Sequence, residues 1–292
     1  MGARRSVACA GLALGFASVV ATVACKDNAK ISAQKATENV AFLTKLAESD
    51  VTEVERGLPA GAKKMTPLWA NGEDPHQDPE KAHRALAKMR RETEDLTNAK
   101  STFFAVTDDK GVAIRNDLEQ DTMAGQNLIS VFPDLAKATA GSATWLTTSG
   151  AFPNTNRPGA AQDKDWVAAV PIRTDDGKLV GALVTGWTYR RFAYHLQESL
   201  RHELSEQLRK DGDTGKLPVF YVAVFDKSGC YGAPHTPDVN EKALVDADVV
   251  AKTANGPAQG TLRITDRDFG WAAARVPKLG DDAGVAVLRS EL

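Results

Sequence analysis

Arg115, Trp145, Trp166 and Tyr189 are the residues of this sequence best suited to holding a small molecule. A guanidinium supplies a fixed charge with a planar fork of donors, and the aromatic rings supply apolar area. Together they suit a small anionic or zwitterionic ligand better than a cation. Trp145 and Trp166 fall on neighbouring predicted strands. The competing assignment makes these rings part of a hydrophobic core, where large aromatics commonly sit. Further along the chain, Trp271 and Tyr231 come with a shorter inserted segment, and a filled core is expected there.

Catalytic signatures are missing, and no enzyme is expected. Neither a nucleophile-elbow motif nor a phosphate-cradling Gly-Lys-Ser/Thr loop occurs in the sequence. Asp108-Asp109, Asp175-Asp176 and Asp281-Asp282 sit in hairpin turns, where aspartate favours the local backbone geometry. His195 and His202 are seven residues apart on one predicted helix, whereas helical metal pairs are typically four apart. His76 and His83, near Asp74 and Asp78, belong to a solvated loop and helix start. No metal and no cofactor is expected. The charges are interspersed, with no basic block to mark a nucleic-acid surface, so nucleic acid is not an expected partner.

The N-terminus has the pattern of an export signal, spanning residues 1–24. Arg4 and Arg5 precede an uncharged run of small and apolar residues from Val7 to Ala24, and charge resumes at Lys26. The small pair Val23-Ala24 before Cys25 resembles the bacterial lipoprotein signal, which implies lipidation at Cys25 and a membrane-anchored envelope protein facing the periplasm or exterior. Thr22 stands where that signal usually has Leu. An ordinary cleaved signal and an uncleaved anchor are the alternatives. Loss of residues 1–24 removes Arg4 and Arg5, so the net charge of −2 becomes −4. With Cys9 lost and Cys25 lipidated, Cys230 is the one thiol left, which leaves no intramolecular disulfide and no cysteine-based metal site. Cys230 is read as a small buried strand residue.

Hydrophobic periodicity divides the mature chain into a helical region at 25–99, a strand-rich unit at 100–189, a connecting helix at 190–216 and a second strand-rich unit at 217–292. Val40, Leu43, Leu46 and Ala47 set the stripe of a helix over 28–56, with Gly57, Pro59 and Gly61 expected to end it. A second helix is predicted over 79–98. Strands are predicted at 102–107, 112–116, 142–148, 165–173 and 179–189, then at 218–225, 230–233, 259–266, 269–276 and 283–289. The second unit echoes the first. FFAVTDDKGVAIRN at 103–116 is answered by FYVAVFDKSGCYGA at 220–233, and DWVAAVPIRTDDGKLVGALVTGW at 165–187 by FGWAAARVPKLGDDAGVAVLRS at 269–290. Two copies in one order imply two domains of one fold. The fold class is therefore α+β, with two PAS-like units of antiparallel five-stranded sheet, a long N-terminal helix and a connecting helix. The polar loop 150–164 joins the third and fourth strands.

With these residues in place, the chain resembles the double Cache family of extracytoplasmic sensors, tandem PAS-like units on a long helix. The resemblance rests on Asp108 to Gly111 between the first two strands, on KATAG at 137–141, on Val170-Pro171-Ile172 and on Gly181 to Val184. It covers roughly 90 residues of the first unit well and the second weakly. The aromatic and arginine cluster of amino-acid-sensing members is not evident at Val131 to Leu135, so no binding residue is carried over. The resemblance implies a sensory or small-molecule-binding protein. No kinase, cyclase or methyl-accepting domain follows Leu292, so action through a partner, a membrane receptor or envelope protein, is implied. The alternative is a structural or protein-interaction lipoprotein whose PAS-like scaffolds hold no ligand.

Overall fold

The computed structural model describes residues 15–152, 163–212 and 215–291, with side chains from Asn28 onward. Most of the loop 150–164, the first 14 residues and the Cys25 side chain lie outside the described residues. Among the described residues no helix is long and apolar enough to cross a membrane.

Helix α1 runs from Gly15 to Met65. Its buried positions include Ala36, Val40, Leu43, Ala47, Val51, Val54, Leu58 and Met65, in steps of three and four with one of seven, which keeps them on one face. The helix continues through the Gly57-Pro59-Gly61 segment expected to stop it. Packing explains the difference. A Cβ on Gly57 would lie 2.7 Å from Leu96 Cδ2, and one on Gly61 would lie 2.9 Å from Met89 Sδ. These glycines let α2 (Pro79–Glu92) and α3 (Glu94–Asn98) approach α1 closely. The predicted 79–98 helix is thus two helices, parted at the extended residue Thr93. Asp78 caps α2 by accepting from Lys81 N at 3.0 Å.

Each unit is a five-stranded antiparallel sheet. The first holds β1 (Phe103–Asp108), β2 (Ala113–Asn116), β3 (Leu146–Gly150), β4 (Asp165–Arg173) and β5 (Leu179–Thr188), ordered β2-β1-β5-β4-β3. Helix α4 (Leu135–Thr139) is inserted between β2 and β3. The connecting helix α5 (Tyr189–Lys210) is continuous. The second unit holds β6 (Val219–Asp226), β7 (Gly229–Gly232), β8 (Ala258–Ile264), β9 (Arg267–Arg275) and β10 (Gly284–Ser290), ordered β7-β6-β10-β9-β8. The two orders are the same, so the sequence echo is a structural duplication. Between β7 and β8 lie α6 (Asp238–Asp246) and α7 (Val249–Lys252), parted where Asp248 adopts a left-handed φ of 54°.

One core unites the molecule. Val40 and Leu58 of α1, Leu196 and Leu200 of α5, Phe104 and Trp166 of the first sheet, and Val222 and Val287 of the second belong to one buried cluster. Each sheet also covers its other face. Phe132, Leu135 and Phe152 lie on Val167 and Val184 in the first unit, and Leu244 and Val249 lie with Ala273 and Leu288 in the second.

The tightest approach between α1 and either sheet is at Gly270 on β9, where a Cβ would lie 2.0 Å from Ala33 N. The α1 backbone thus rests directly on the second sheet. Replacing Gly270 by Ala is expected to cost about 3 kcal/mol, the upper range for overpacking a filled site. Chemical denaturation would measure it, and hydrogen exchange should show loss of protection in α1 residues 29–40 before residues 54–62.

Candidate ligand-binding cleft

Among the described residues, Arg115, Trp145, Trp166 and Tyr189 do not come together around one cavity. Trp166 on β4 points to the α1 side of the first sheet, fully buried, with its ring 4.2 Å from that of Trp187 directly opposite on β5. Phe192 of α5 extends the column, 4.5 Å from Trp187. Trp166 is therefore a core residue, because the strand's two-residue period sends it to the helix-covered face. Trp145 precedes β3, which begins at Leu146 and not at residue 142, and it packs half-buried against the main core. Arg115 lies opposite Val106 and is held by Asp121 at 3.1 Å, Leu118 O at 3.0 Å and Glu80 at 3.7 Å. Burial opposes ionisation of Asp121, but hydrogen bonds from the Asn116 and Met123 N–H groups and from Arg115 outweigh it and lower its pKa.

Tyr189 does line a cavity. It opens α5, where the Thr188 hydroxyl accepts from Arg191 N at 3.2 Å and caps the helix. The ring is buried and meets Tyr231 of the second unit edge-on, with centroids 5.3 Å apart. Its hydroxyl donates to Asp226 at 3.2 Å. Burial, and then the Asp226 charge, push the Tyr189 phenol well above the tyrosine range, so it acts as a neutral donor.

Asp226 is the centre of this junction. It ends β6, and its carboxylate also accepts from Ser228 N at 2.8 Å, from the Ser228 hydroxyl and from Lys164 of the first unit. Lys164 Nζ donates in addition to Ser228 Oγ at 3.1 Å. Burial works against the charged carboxylate, yet the Lys164 and Ser228 contacts prevail and hold its pKa below the usual value. The two units are thus bridged by a largely buried ion pair. Beside it, Arg190 forks onto Glu241 of α6, with one contact at 2.9 Å, and Glu241 accepts from Gly232 N at 2.9 Å.

A cleft of 410 Å³ opens over this bridge. Hydroxyls of Thr147, Thr148 and Ser149 come from β3, Lys164 and Tyr189 from the ends of the first unit, and Asp281 and Asp282 from the turn before β10. Its four carboxylates, with Asp134 and Asp226 included, outnumber the ammonium groups of Lys164 and Lys227. Such a lining accepts amines and hydroxyls and offers one fixed cation for a carboxylate. Neither Lys164 nor Asp226 stands out in the sequence as a site residue. The available signal is the repeat itself, since Asp226 occupies in the second unit the place of Asp108 in the first. No group of three or more metal-ligating side chains occurs among the described residues. Cys230 is buried on β7, and burial, then the Glu241 and Asp226 charges, push its thiol up to about 12, which makes it inert.

No protein-family model matches the chain, and no curated protein does. Solved structures share its fold. An extracellular ligand-binding receptor from Desulfohalobium retbaense DSM5692 superposes with a TM-score of 0.52 at 12% identity, over 86% of this chain and 39% of that one. The chain therefore spans well under half of that receptor. The ligand-binding domain of Mlp24, solved with asparagine, gives 0.50 at 12% identity over 92% of this chain and 94% of that one. A domain named as the extracellular part of a histidine kinase, vpHK1S-Z8, gives 0.51 at 11% identity over 91% and 93%. The double PAS-like α+β fold is common to all of them.

Asp165 adjoins the bridge on β4. It is buried on the sheet face away from α1, and Phe152 N donates to it at 3.3 Å. Burial raises its pKa to about 7, against the Phe152 hydrogen bond and with help from Asp163. A folded-state pKa above the unfolded value of 3.8 means that stability is fully present below pH 3.8 and is lost as pH rises through about 7. Asp165→Asn removes that dependence. The advantage of the variant over the wild type should be absent near pH 3.8, grow as pH rises and level off above about 7. The expected slope between those limits is about 1.4 kcal/mol for each pH step of one. A pH series of thermal unfolding for both proteins checks this.

Proposed function

We propose that this chain is an extracytoplasmic sensory protein that binds a small molecule, is anchored to the envelope membrane by lipid at Cys25, and passes its state to a membrane receptor or envelope partner. The observation that carries the reading is the duplicated sheet order on one shared helix, the fold also found in an extracellular ligand-binding receptor and in a domain solved with asparagine. The junction cleft is its ligand site, with Lys164, Tyr189 and the Asp281-Asp282 turn as the recognition groups. Four carboxylates against two ammonium groups favour a zwitterion over a pure anion. The domain limits remain those read from the sequence, with the first unit at 100–189 and the second at 217–292.

A second reading, a structural or interaction lipoprotein, is favoured by one observation. The sheet faces turned away from α1 are filled with side chains in both units. Thermal-shift screening of the full chain against amino acids, amines and organic acids separates the two. A zwitterion present at about a hundred times its Kd should stabilise the protein by about 2.7 kcal/mol. Lys164→Met should abolish that gain. A flat response across the panel favours the structural reading.

Anchoring has its own test. A single acyl chain binds membranes marginally and several bind firmly, so the lipid decides the partitioning. Cys25→Ser should leave an unprocessed precursor or a protein released to the aqueous phase on detergent partitioning. Unchanged processing and partitioning would refute lipidation.

A further inference from the structure

A second cavity, of 630 Å³, opens between the segment joining α3 to β1 and the first half of α5. It shares no lining residue with the junction cleft. Arg90, Lys100, Arg191 and His195 face one carboxylate, Glu198, around it. Glu198 is already engaged by Arg201 at 3.2 Å. Positive charge thus dominates this cavity in a chain whose net charge is −2.

The basic side chains divide into fixed and available. Arg90 is tied to Asp117 at 2.8 Å and to Ser101 O at 3.1 Å, and its guanidinium lies 5.1 Å over the Phe104 ring. His195 Nε2 meets the buried Asp50 of α1 at 3.0 Å. Lys100 reaches the Asn98 carbonyl at 3.0 Å. Arg191 makes no side-chain hydrogen bond or ion pair among the described residues.

Ser101 belongs to the same wall and is only 5% exposed. Apart from Thr102, the remaining wall is apolar, from Ala99, Phe192 and the ring of Tyr194. A bare phosphate would leave that surface unused, whereas a carboxylate on a carbon skeleton would cover it.

We propose that this cavity binds a small organic carboxylate, with Arg191 and Lys100 as its cationic partners. Phe192 forms part of the wall and stacks on Trp187, and His195 links α5 to α1. Occupancy would therefore touch the contacts that fix α5 against the sheet and the long helix.

The test uses the full chain titrated with sodium benzoate and, separately, with sodium butyrate at constant ionic strength. Tryptophan fluorescence and calorimetry are the readouts. Saturable binding is expected, with a change in emission because Phe192 lies on Trp187. Arg191→Ala should weaken binding about tenfold or more, the loss of one charge-assisted hydrogen bond. Lys100→Ala should weaken it in the same direction, and Lys164→Met in the junction cleft should leave it unchanged. Thermal unfolding of each variant verifies folding, and Arg191→Gln serves if Arg191→Ala is unfolded. The proposal is overturned by absent saturation with both carboxylates, by equal binding of inorganic phosphate, or by affinity that responds to Lys164→Met and not to Arg191.

Discussion

Helix α1 carries its buried stripe from Ala29 to Met65, and no single sheet of this size can cover that length. At 1.5 Å per residue its 51 residues span roughly 76 Å. The stripe is buried because two sheets lie along it. The first half rests on β9 and β10, down to backbone contact at Gly270, and the second half packs on the first sheet, where Gly61 meets Leu183. Arg289 to Asn39 at 2.9 Å and Lys278 to Glu55 at 2.7 Å add polar attachments to the second unit. Each fully buried aliphatic side chain on the stripe contributes about 1.5–3 kcal/mol, far more than an exposed pair such as Lys278–Glu55. The relative placement of the units follows from this shared burial.

Duplication supplied two equivalent turns, and their surroundings have set them to different tasks. Asp108 closes its turn by accepting from Lys110 N at 3.0 Å and Val112 N at 2.8 Å, and meets His76 at 3.3 Å. Asp226 performs the same turn role toward Ser228 and also takes Lys164 and Tyr189 from the other unit. Removing one partner of such a pair costs more than the pair adds, because the remaining charge stays buried. The bridge is thus a specific registration point between units, at the site where a polar cleft opens.

The aromatics settle into the core for a related reason. Trp166, Trp187 and Phe192 stack in one column between the first sheet and α5. The column joins the strand that ends the first unit to the helix that leads to the second. Ring contacts tie α5 to the first sheet, and His195 ties it to Asp50 on α1. The junction cleft and the cationic cavity both border that helix, one at its first residue and one along its first turns.

The strand content, the duplication and the α+β class are legible in the sequence, because two-residue and three-to-four-residue hydrophobic periods record which faces are buried. Strands β4 and β5 fall almost to the residue where those periods place them, and the connecting helix expected within 190–216 is continuous from Tyr189 to Lys210. The end of α1 is not legible at Gly57 to Gly61, since local propensity holds no information on Leu96 and Met89, whose approach requires those glycines. Of the expected ligand-lining residues only Tyr189 lies on a described cavity. Residue type suits Trp166 to a pocket, but the parity of its strand turns it to the α1 side. Lys164 and Asp226 are 62 residues apart, and nothing in either local sequence names the other. Periodicity determined the elements. The pairing of distant charges and the cavities between elements were decided only when α1 drew two separate sheets onto one stripe.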